Sequence, residues 1–331
     1  MTSILIADIG GTNGRFARLS DPSMTQLAPR DTVQLSCRNF NSFEALLHSA
    51  LNELGIEIPT GFDAVFAIAG PVNGEQGEFT NLAWQVDART LERVFGFASV
   101  HFLNDLVAAV HGLAHADRQF LDHESLQNGR EMPGARQLLL NVGTGLGVAY
   151  WWKPSGSLHV DGSEAGHMGF SPANTEQTAL LEHLHEKYGR VSWERVLSGT
   201  GLAALDAYLR GSEAGSPAAV VARAVEDDDT AHRAIDLFTE MLGTFAGDLV
   251  LGAPARGGVW MTGGVLDGLD QTFDMERFFH GFYTKGRMAR LLHSVPVFRL
   301  REKGLGLKGA WEVALGNGKS SSVTSINERE P

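Results

Sequence analysis

The chain has 331 residues, enough for about two domains at ~100–200 residues each. Its 27 Lys+Arg against 39 Asp+Glu give a formal net charge of −12, which argues against a nucleic-acid binder, because phosphate-backbone affinity needs clustered Lys and Arg. A single cysteine, Cys37, excludes an intrachain disulfide framework and a Cys-rich zinc site, while 39 glycines point to tight turns and close backbone approaches. No apolar run reaches the ~18 residues of a membrane span. The opening residues lack the basic start of a secretory leader, so a cytoplasmic protein without a membrane partner is expected.

In chain order, Ile4–Ile9 reads as a buried strand that ends in a Gly-rich turn, Gly10 to Gly14, and Arg15–Leu19 alternates like a second strand. Asn41 to Leu54 is a helix with Phe43, Leu46, Leu47, Leu51 and Leu54 on one face and Asn41 as its cap. Ala64–Ala69 is a strand stopped by Gly70-Pro71. Val100–Leu103 is a short strand that leads through Asn104-Asp105 into a helix from 106 to 113. Residues 115–136 are polar and read as a connection. Gln137–Val142, a turn over Gly143–Gly147 and Val148–Trp152 then repeat the opening pattern about 130 residues on, which suggests two related α/β halves. Helices are predicted over 175–188, 217–225, 230–251 and 306–315, and strands over 257–262 and 295–300. The polar residues 316–331 read as disordered.

The paired Gly/Thr turns are the strongest chemical signal. Glycines there let backbone N–H groups approach phosphate oxygens, and an acidic residue just ahead, Asp8, suits Mg2+. Each turn is equally readable as an ordinary hairpin turn. The second turn lacks the GxGxxG spacing and a following helix, so a dinucleotide fingerprint fails; Gly318-Lys319-Ser320 lacks the first glycine of a P-loop. Asn104-Asp105 stands where a strand becomes a helix. It is either a helix cap or a carboxylate placed to take a proton from a hydroxyl. Glu164 and His167, with a second ExxH at Glu182 and His185, fit a metal set poorly because Gly166 breaks the first helix; hydrogen bonding to a polyol is also open. Glu194 reads as an exposed helix carboxylate, and Cys37 as structural.

Eight segments stand in order: ADIGGTNGRFARL (7–19), AIAGPVNG (67–74), TNLAW (80–84), FLNDLVAA (102–109), NVGTGLGVA (141–149), GSEAGHMGF (162–170), ERVLSGTGL (194–202) and GGVWMTGGV (257–265). Together they closely resemble the ATP-dependent bacterial-type glucokinases of the sugar kinase/actin-like ATPase superfamily, over about residues 4–315. One cysteine separates the chain from the zinc-containing repressor/ORF/kinase branch.

The resemblance implies an α/β, two-domain actin-like ATPase/ribonuclease H-like fold with a deep interdomain cleft. The small domain would be 1–110 plus 306–316, the large domain 111–305, and 317–331 a disordered tail. It implies phosphorylation of D-glucose at the 6-hydroxyl by ATP with Mg2+, and a homodimer by analogy with the family. Asp105 would be the catalytic base. Asn104, Glu164, His167, Glu194 and Asn81 would bind the sugar, with Trp84 beside Asn81. Ala7, Asp8, Ile9, Gly10, Gly11 and Thr12 would form the first nucleotide segment, with Asp8 holding Mg2+ through water. Gly143, Thr144 and Gly145 would form the second, and Gly263 and Gly264 the adenosine-side turn. Kinases of another hexose or an amino sugar, a non-catalytic sugar sensor and an actin-like ATPase without a sugar substrate are the alternatives.

Overall fold

The computed structural model describes residues 3–19, 31–57, 59–130 and 132–316; the tail expected over 317–331, with its Gly318-Lys319-Ser320, lies outside the described residues. The chain divides into two units. One takes in the described parts of Met1–Leu121, Ser157–Gly162 and Glu302–Pro331; the other is Asp122–Gly156 with Ser163–Arg301. The chain passes from one unit to the other after residues 121, 156, 162 and 301.

The first unit is built on a five-stranded sheet in the order β3-β2-β1-β4-β8. Its strands are β1 (Ile4–Ile9), β2 (Asn13–Leu19), β3 (Thr32–Ser36), β4 (Asp63–Ile68) and β8 (Ser99–Asn104). β1, β4 and β8 are parallel and in register, so Ile9, Ile68 and Asn104 end level with one another. Strand alternation sorts the side chains of β1 onto two faces. Leu5, Ala7 and Ile9 join a core with Phe43, Phe66, Phe79 and Trp84, under helix α1 (Phe43–Glu53) and helix α2 (Ala88–Phe95). Ile4 and Ile6 face the other way, toward Ala310 of the last helix, α12 (Leu305–Ala314). Asp8 falls on that second face by the same alternation.

α12 also packs on α3 (Asp105–His115), and glycine makes the close approach possible. A Cβ at Gly309 would stand 1.6 Å from the Ala108 carbonyl oxygen, and one at Gly306 would stand 2.6–2.7 Å from the Asp8 carboxyl group. The predicted helix start at Asn41 shifts by one residue. Ser42 is the cap, accepting from the Ala45 N–H at 3.2 Å. A small ribbon of β5 (Val72–Asn73), β6 (Gln76–Glu78) and β7 (Gln85–Asp87) carries the loop that holds Asn81.

In the second unit the sheet strands run β11-β10-β13-β14-β9. β10 (Gln137–Val142) and β11 (Leu146–Trp152) form a hairpin, so the turn is shorter than predicted and spans only Gly143–Gly145. β13 (Gly258–Thr262) and β14 (Val297–Leu300) lie parallel to β10. β9 (His123–Gln127) pairs antiparallel with β14 inside the stretch read as a connection. β12 (His159–Ser163) is where the chain crosses from one unit to the other.

The core of this unit gathers on α8 (Asp229–Gly252), whose Leu237, Phe238, Met241, Leu242 and Phe245 are buried. Buried Glu240 on the same helix accepts from Gln177 Nε2 at 3.2 Å and Asn174 Nδ2 at 3.3 Å, which offsets the cost of burying a carboxylate. α4 (Thr175–Tyr188), α5 (Trp193–Val196), α6 (Gly199–Arg210) and α7 (Pro217–Val225) surround it. So do α9 (Gly264–Gly268), α10 (Met275–Tyr283) and α11 (Ala289–Leu292). No helix among the described residues is long and apolar enough to cross a membrane.

Candidate functional site

In the first unit the candidate residues collect at the carboxyl ends of β1, β4 and β8, the edge where open α/β sheets place their ligands. The turn after β1 is tied down from both sides. Gly10 N–H donates to Asn13 O at 3.0 Å, and Cys37 N–H donates to Thr12 O at 2.8 Å. The buried Cys37 thiol donates to Gly10 O at 3.4 Å, so this cysteine is structural as expected. The N–H groups of Gly11 and Thr12 make no hydrogen bond among the described residues. Two successive free N–H groups on a pinned turn form an anion-binding concavity. Asn81 packs directly on it: a Cβ at Gly11 would meet Asn81 Cβ at 2.9 Å.

Asp8 stands beside this turn. Burial pushes its carboxyl pKa above the ordinary range, and Arg15, paired with it across the β1–β2 ladder, partly offsets the rise. No hydrogen bond to its carboxylate forms among the described residues, and Gly306 leaves it room. A buried carboxylate without a donor is the group a hard cation neutralises. Mg2+ commonly takes one or two carboxylates and completes its shell with water and phosphate oxygens. The residues present fit that ion held by Asp8 and a bound polyphosphate; among the described residues, no group of three or more His, Cys, Asp or Glu forms a closed metal set.

Ala7 and Ile9 flank Asp8, but both side chains are fully buried in the core, so they offer a ligand nothing beyond main chain. Trp84 is likewise a core residue, edge-on to Phe79 at 5.5 Å, and supports the Asn81 loop from beneath.

Asn104 is the cap of α3. Its Oδ1 accepts from Leu106 N at 3.0 Å and Val107 N at 3.2 Å, and its Nδ2 donates to Gly70 O at 3.1 Å. Both readings of the Asn104-Asp105 pair are thus compatible. Asn104 caps the helix and retains one amide N–H, while Asp105 begins the helix with Oδ1 accepting from Leu106 N at 2.8 Å. That bond and the cap fix the direction of the Asp105 carboxylate. Half-buried at a helix N-terminus, it is held as an oriented acceptor.

In the second unit Leu146, the first residue of β11, is the meeting point. Its N–H donates to Glu194 Oε2 at 3.0 Å. A Cβ at Gly145 would meet the same oxygen at 2.7 Å, and one at Gly166 would meet the Leu146 carbonyl oxygen at 2.2 Å. The Gly143–Gly145 turn, the 165–167 turn and Glu194 on α5 therefore close on one another. Gly199 N–H adds a 2.9 Å bond to Gly143 O, while the N–H groups of Thr144 and Gly145 make none among the described residues.

Glu164 and His167 are both exposed, Oε2 to Nε2 at 3.8 Å, and open to a ligand. Their segment is held by Trp193 N–H to Met168 O at 2.9 Å and by Phe170 edge-on to Trp193 at 5.0 Å. Gly263 follows β13 with φ 120°, a left-handed conformation that only glycine adopts readily, and its Cα packs against the Val142 carbonyl. It thus sets Gly263-Gly264 beside the end of β10. Between them lies Asn141 Oδ1, 2.7 Å from a Cβ built at Gly263 and 4.0 Å from one at Gly143. Sequence reasoning missed Asn141. The signal was there in the internal repeat, since Asn141 is the next-to-last residue of β10 as Asp8 is of β1.

Each unit thus ends two strands in a pinned turn with free N–H donors and sets carboxylates beside it, a pattern suited to phosphate on one side and a polyol on the other. A glucokinase family model matches residues 5–316. The chain is 35% identical to a glucokinase of Chromohalobacter salexigens over 93% of this chain and 96% of that one. Among solved structures, a glucokinase from an Antarctic psychrotroph superposes with a TM-score of 0.76 at 27% identity, covering 96% of this chain and 99% of that one. The fold also matches a glucokinase of the repressor/ORF/kinase type from Streptomyces griseus, solved with glucose and AMPPNP. There the TM-score is 0.60 at 18% identity, covering 94% and 98% of the two chains. The fold is that of the actin-like sugar kinases, and by the family match over nearly its whole length the chain belongs to the glucokinase family.

Proposed function

We infer that the chain is a glucokinase that transfers the γ-phosphoryl group of ATP to the 6-hydroxyl of D-glucose, releasing ADP and glucose 6-phosphate. Membership of the family across residues 5–316 carries this reading, together with an oriented carboxylate, Asp105, at the sheet edge that holds the first phosphate turn.

Phosphoryl transfer needs in-line positioning and charge neutralisation more than covalent chemistry. In the proposed reaction Asp105 accepts the proton of the glucose 6-hydroxyl as the O6–P bond forms. The bond from the γ-phosphorus to the bridging oxygen breaks, and ADP leaves with that electron pair. Gly11, Thr12, Thr144 and Gly145 give the phosphates neutral N–H donors, so an acidic chain can hold a polyanion. Gly263 and Gly264 bound the nucleoside side. Asp8, with the ATP phosphates, would hold Mg2+, which would supply neutralisation of the phosphate charge.

Asn104, through its remaining amide N–H, and Asn81, Glu164, His167 and Glu194 would bind the sugar hydroxyls. Hydroxyl-reading groups can reject an analogue lacking one hydroxyl by about 10⁴–10⁵. The active form is proposed to be a homodimer working in the cytoplasm, and sedimentation at micromolar chain reads the assembly directly.

The test is a matrix of donors against sugars with Mg2+, read as ADP or glucose 6-phosphate formed. ATP with glucose should give the highest kcat/KM. Greater turnover of mannose, fructose or N-acetylglucosamine would assign another hexose kinase. ATP hydrolysis independent of any sugar would assign an ATPase.

A further inference from the structure

Six arginines of the second unit sit against carboxylates, in a chain of net charge −12. Arg210 and Arg223 share Asp206, Arg233 meets Glu176, Arg277 meets Asp236, and Arg299 and Arg301 meet Asp270. Four do not. Arg130, Arg256, Arg287 and Arg290 make no ion pair among the described residues, and all four line one cavity of about 580 Å³ whose described walls contain no Asp or Glu.

The cavity lies at the amino ends of β13 and β14. Arg256 stands just before β13, Arg130 follows β9, and Arg287 and Arg290 come from the turn and short helix α11 that precede β14. Its backbone is fixed. Arg130 N–H donates to Ser294 O at 2.9 Å, and Gly129 approaches Pro296 so closely that a Cβ would fall 2.3 Å from its nitrogen. The Gly263 turn is at the other end of β13, five residues away, or roughly 17 Å at ~3.3 Å per residue. The cavity is therefore separate from the nucleotide turns of this unit.

We propose that this cavity is a binding site for a small phosphorylated molecule carrying two or more phosphate groups. Guanidinium forks match phosphate oxygens in pairs, and four of them facing one space exceed the charge of a single phosphate. Met132 and Met288 add adaptable apolar wall, suited to a ring or carbon chain between or beside the phosphates. The volume accommodates a nucleotide or a sugar bisphosphate as well as pyrophosphate.

Arginine labelling of the wild-type chain with phenylglyoxal, mapped by peptide mass, tests this. Millimolar pyrophosphate should lower labelling at Arg130, Arg256, Arg287 and Arg290 by roughly fivefold, as expected for a site about 80% occupied, and leave Arg93 unchanged. The candidate phosphate turns contain no arginine, so protection at these four reports the cavity. ADP, a hexose bisphosphate and pyrophosphate in separate arms identify the source by which protects at the lowest concentration. Calorimetry of the Arg287→Ala/Arg290→Ala variant should show one fewer pyrophosphate bound per chain, with glucose phosphorylation unchanged in phosphate-free buffer. Equal labelling with and without all three polyphosphates, or equal stoichiometry in wild type and variant, overturns the proposal. Protection by inorganic phosphate as strong as by pyrophosphate also overturns it.

Discussion

Glu194→Ala tests how the second unit ties a carboxylate proposed to bind sugar to a turn proposed to bind phosphate. Glu194 Oε2 accepts from Leu146 N at 3.0 Å and presses on Gly145, so it props the end of the turn that presents the free Thr144 and Gly145 N–H groups. Removing it deletes one hydrogen bond to a charged acceptor, ~1.5–3 kcal/mol. Glu194 is half-buried, which places the loss near ~1.5 kcal/mol, or about tenfold in an equilibrium constant. The KM for ATP should therefore rise about tenfold along with that for glucose. Glu194→Gln keeps an acceptor oxygen and should bring the ATP effect back to within about threefold. Initial rates of ADP formation, with ATP varied at saturating glucose, give both constants, and a thermal melt checks folding. An unchanged KM for ATP in a folded Glu194→Ala enzyme would refute the prop.

Asp8→Asn separates function from stability. Burial raises the Asp8 pKa, so the charged form opposes folding at neutral pH, and that cost disappears only as pH falls toward and below ~3.8. The amide should leave the nucleotide-free melting temperature equal or higher while Mg-ATP turnover falls by roughly a hundredfold or more, seen in paired melts and assays. Gly263→Ala places a Cβ 2.3 Å from the Val142 carbonyl oxygen at a φ of 120°, costing about 1–3 kcal/mol in melts and raising the KM for ATP more than that for glucose. Burial pushes the Tyr150 phenol up to about 12, against a slight lowering by Arg136. Its neutral form is the one the fold accepts, so its contribution is intact below ~10 and lost as pH climbs from there toward 12. Tyr150→Phe should flatten that alkaline decline in urea unfolding.

Regular periodicity made the buried elements readable. Thr175–Tyr188 and Pro217–Val225 have the predicted bounds, and the hairpins around both turns stand where the repeat placed them. Errors fell where tertiary partners decide. His123–Gln127 is polar and scarcely alternates, yet an edge strand needs only one neighbour, here β14. Ser198 to Gly201, inside the segment ERVLSGTGL, opens helix α6. Ser198 Oγ accepts from Gly201 N at 3.1 Å, and Gly201 lies so close to the Val196 main chain that no side chain fits.

The site was legible as motifs and less so as geometry. Which β1 side chains face a ligand follows from alternation alone, which separates Asp8 from Ala7 and Ile9. The Glu194 bond to Leu146 spans 48 positions, beyond any local pattern. The arginine cavity draws on segments near 130, 256 and 290, which no motif links.

The role of Asp105 in phosphoryl transfer is tested most directly by Asp105→Asn. The amide oxygen can still accept from Leu106 N, so the cap of α3 and the fold should survive. Glucose affinity, measured by titration, should stay within a few-fold of wild type, while kcat for ATP and glucose falls by ~10²–10⁴. Turnover within threefold of wild type in the purified variant would contradict the base assignment.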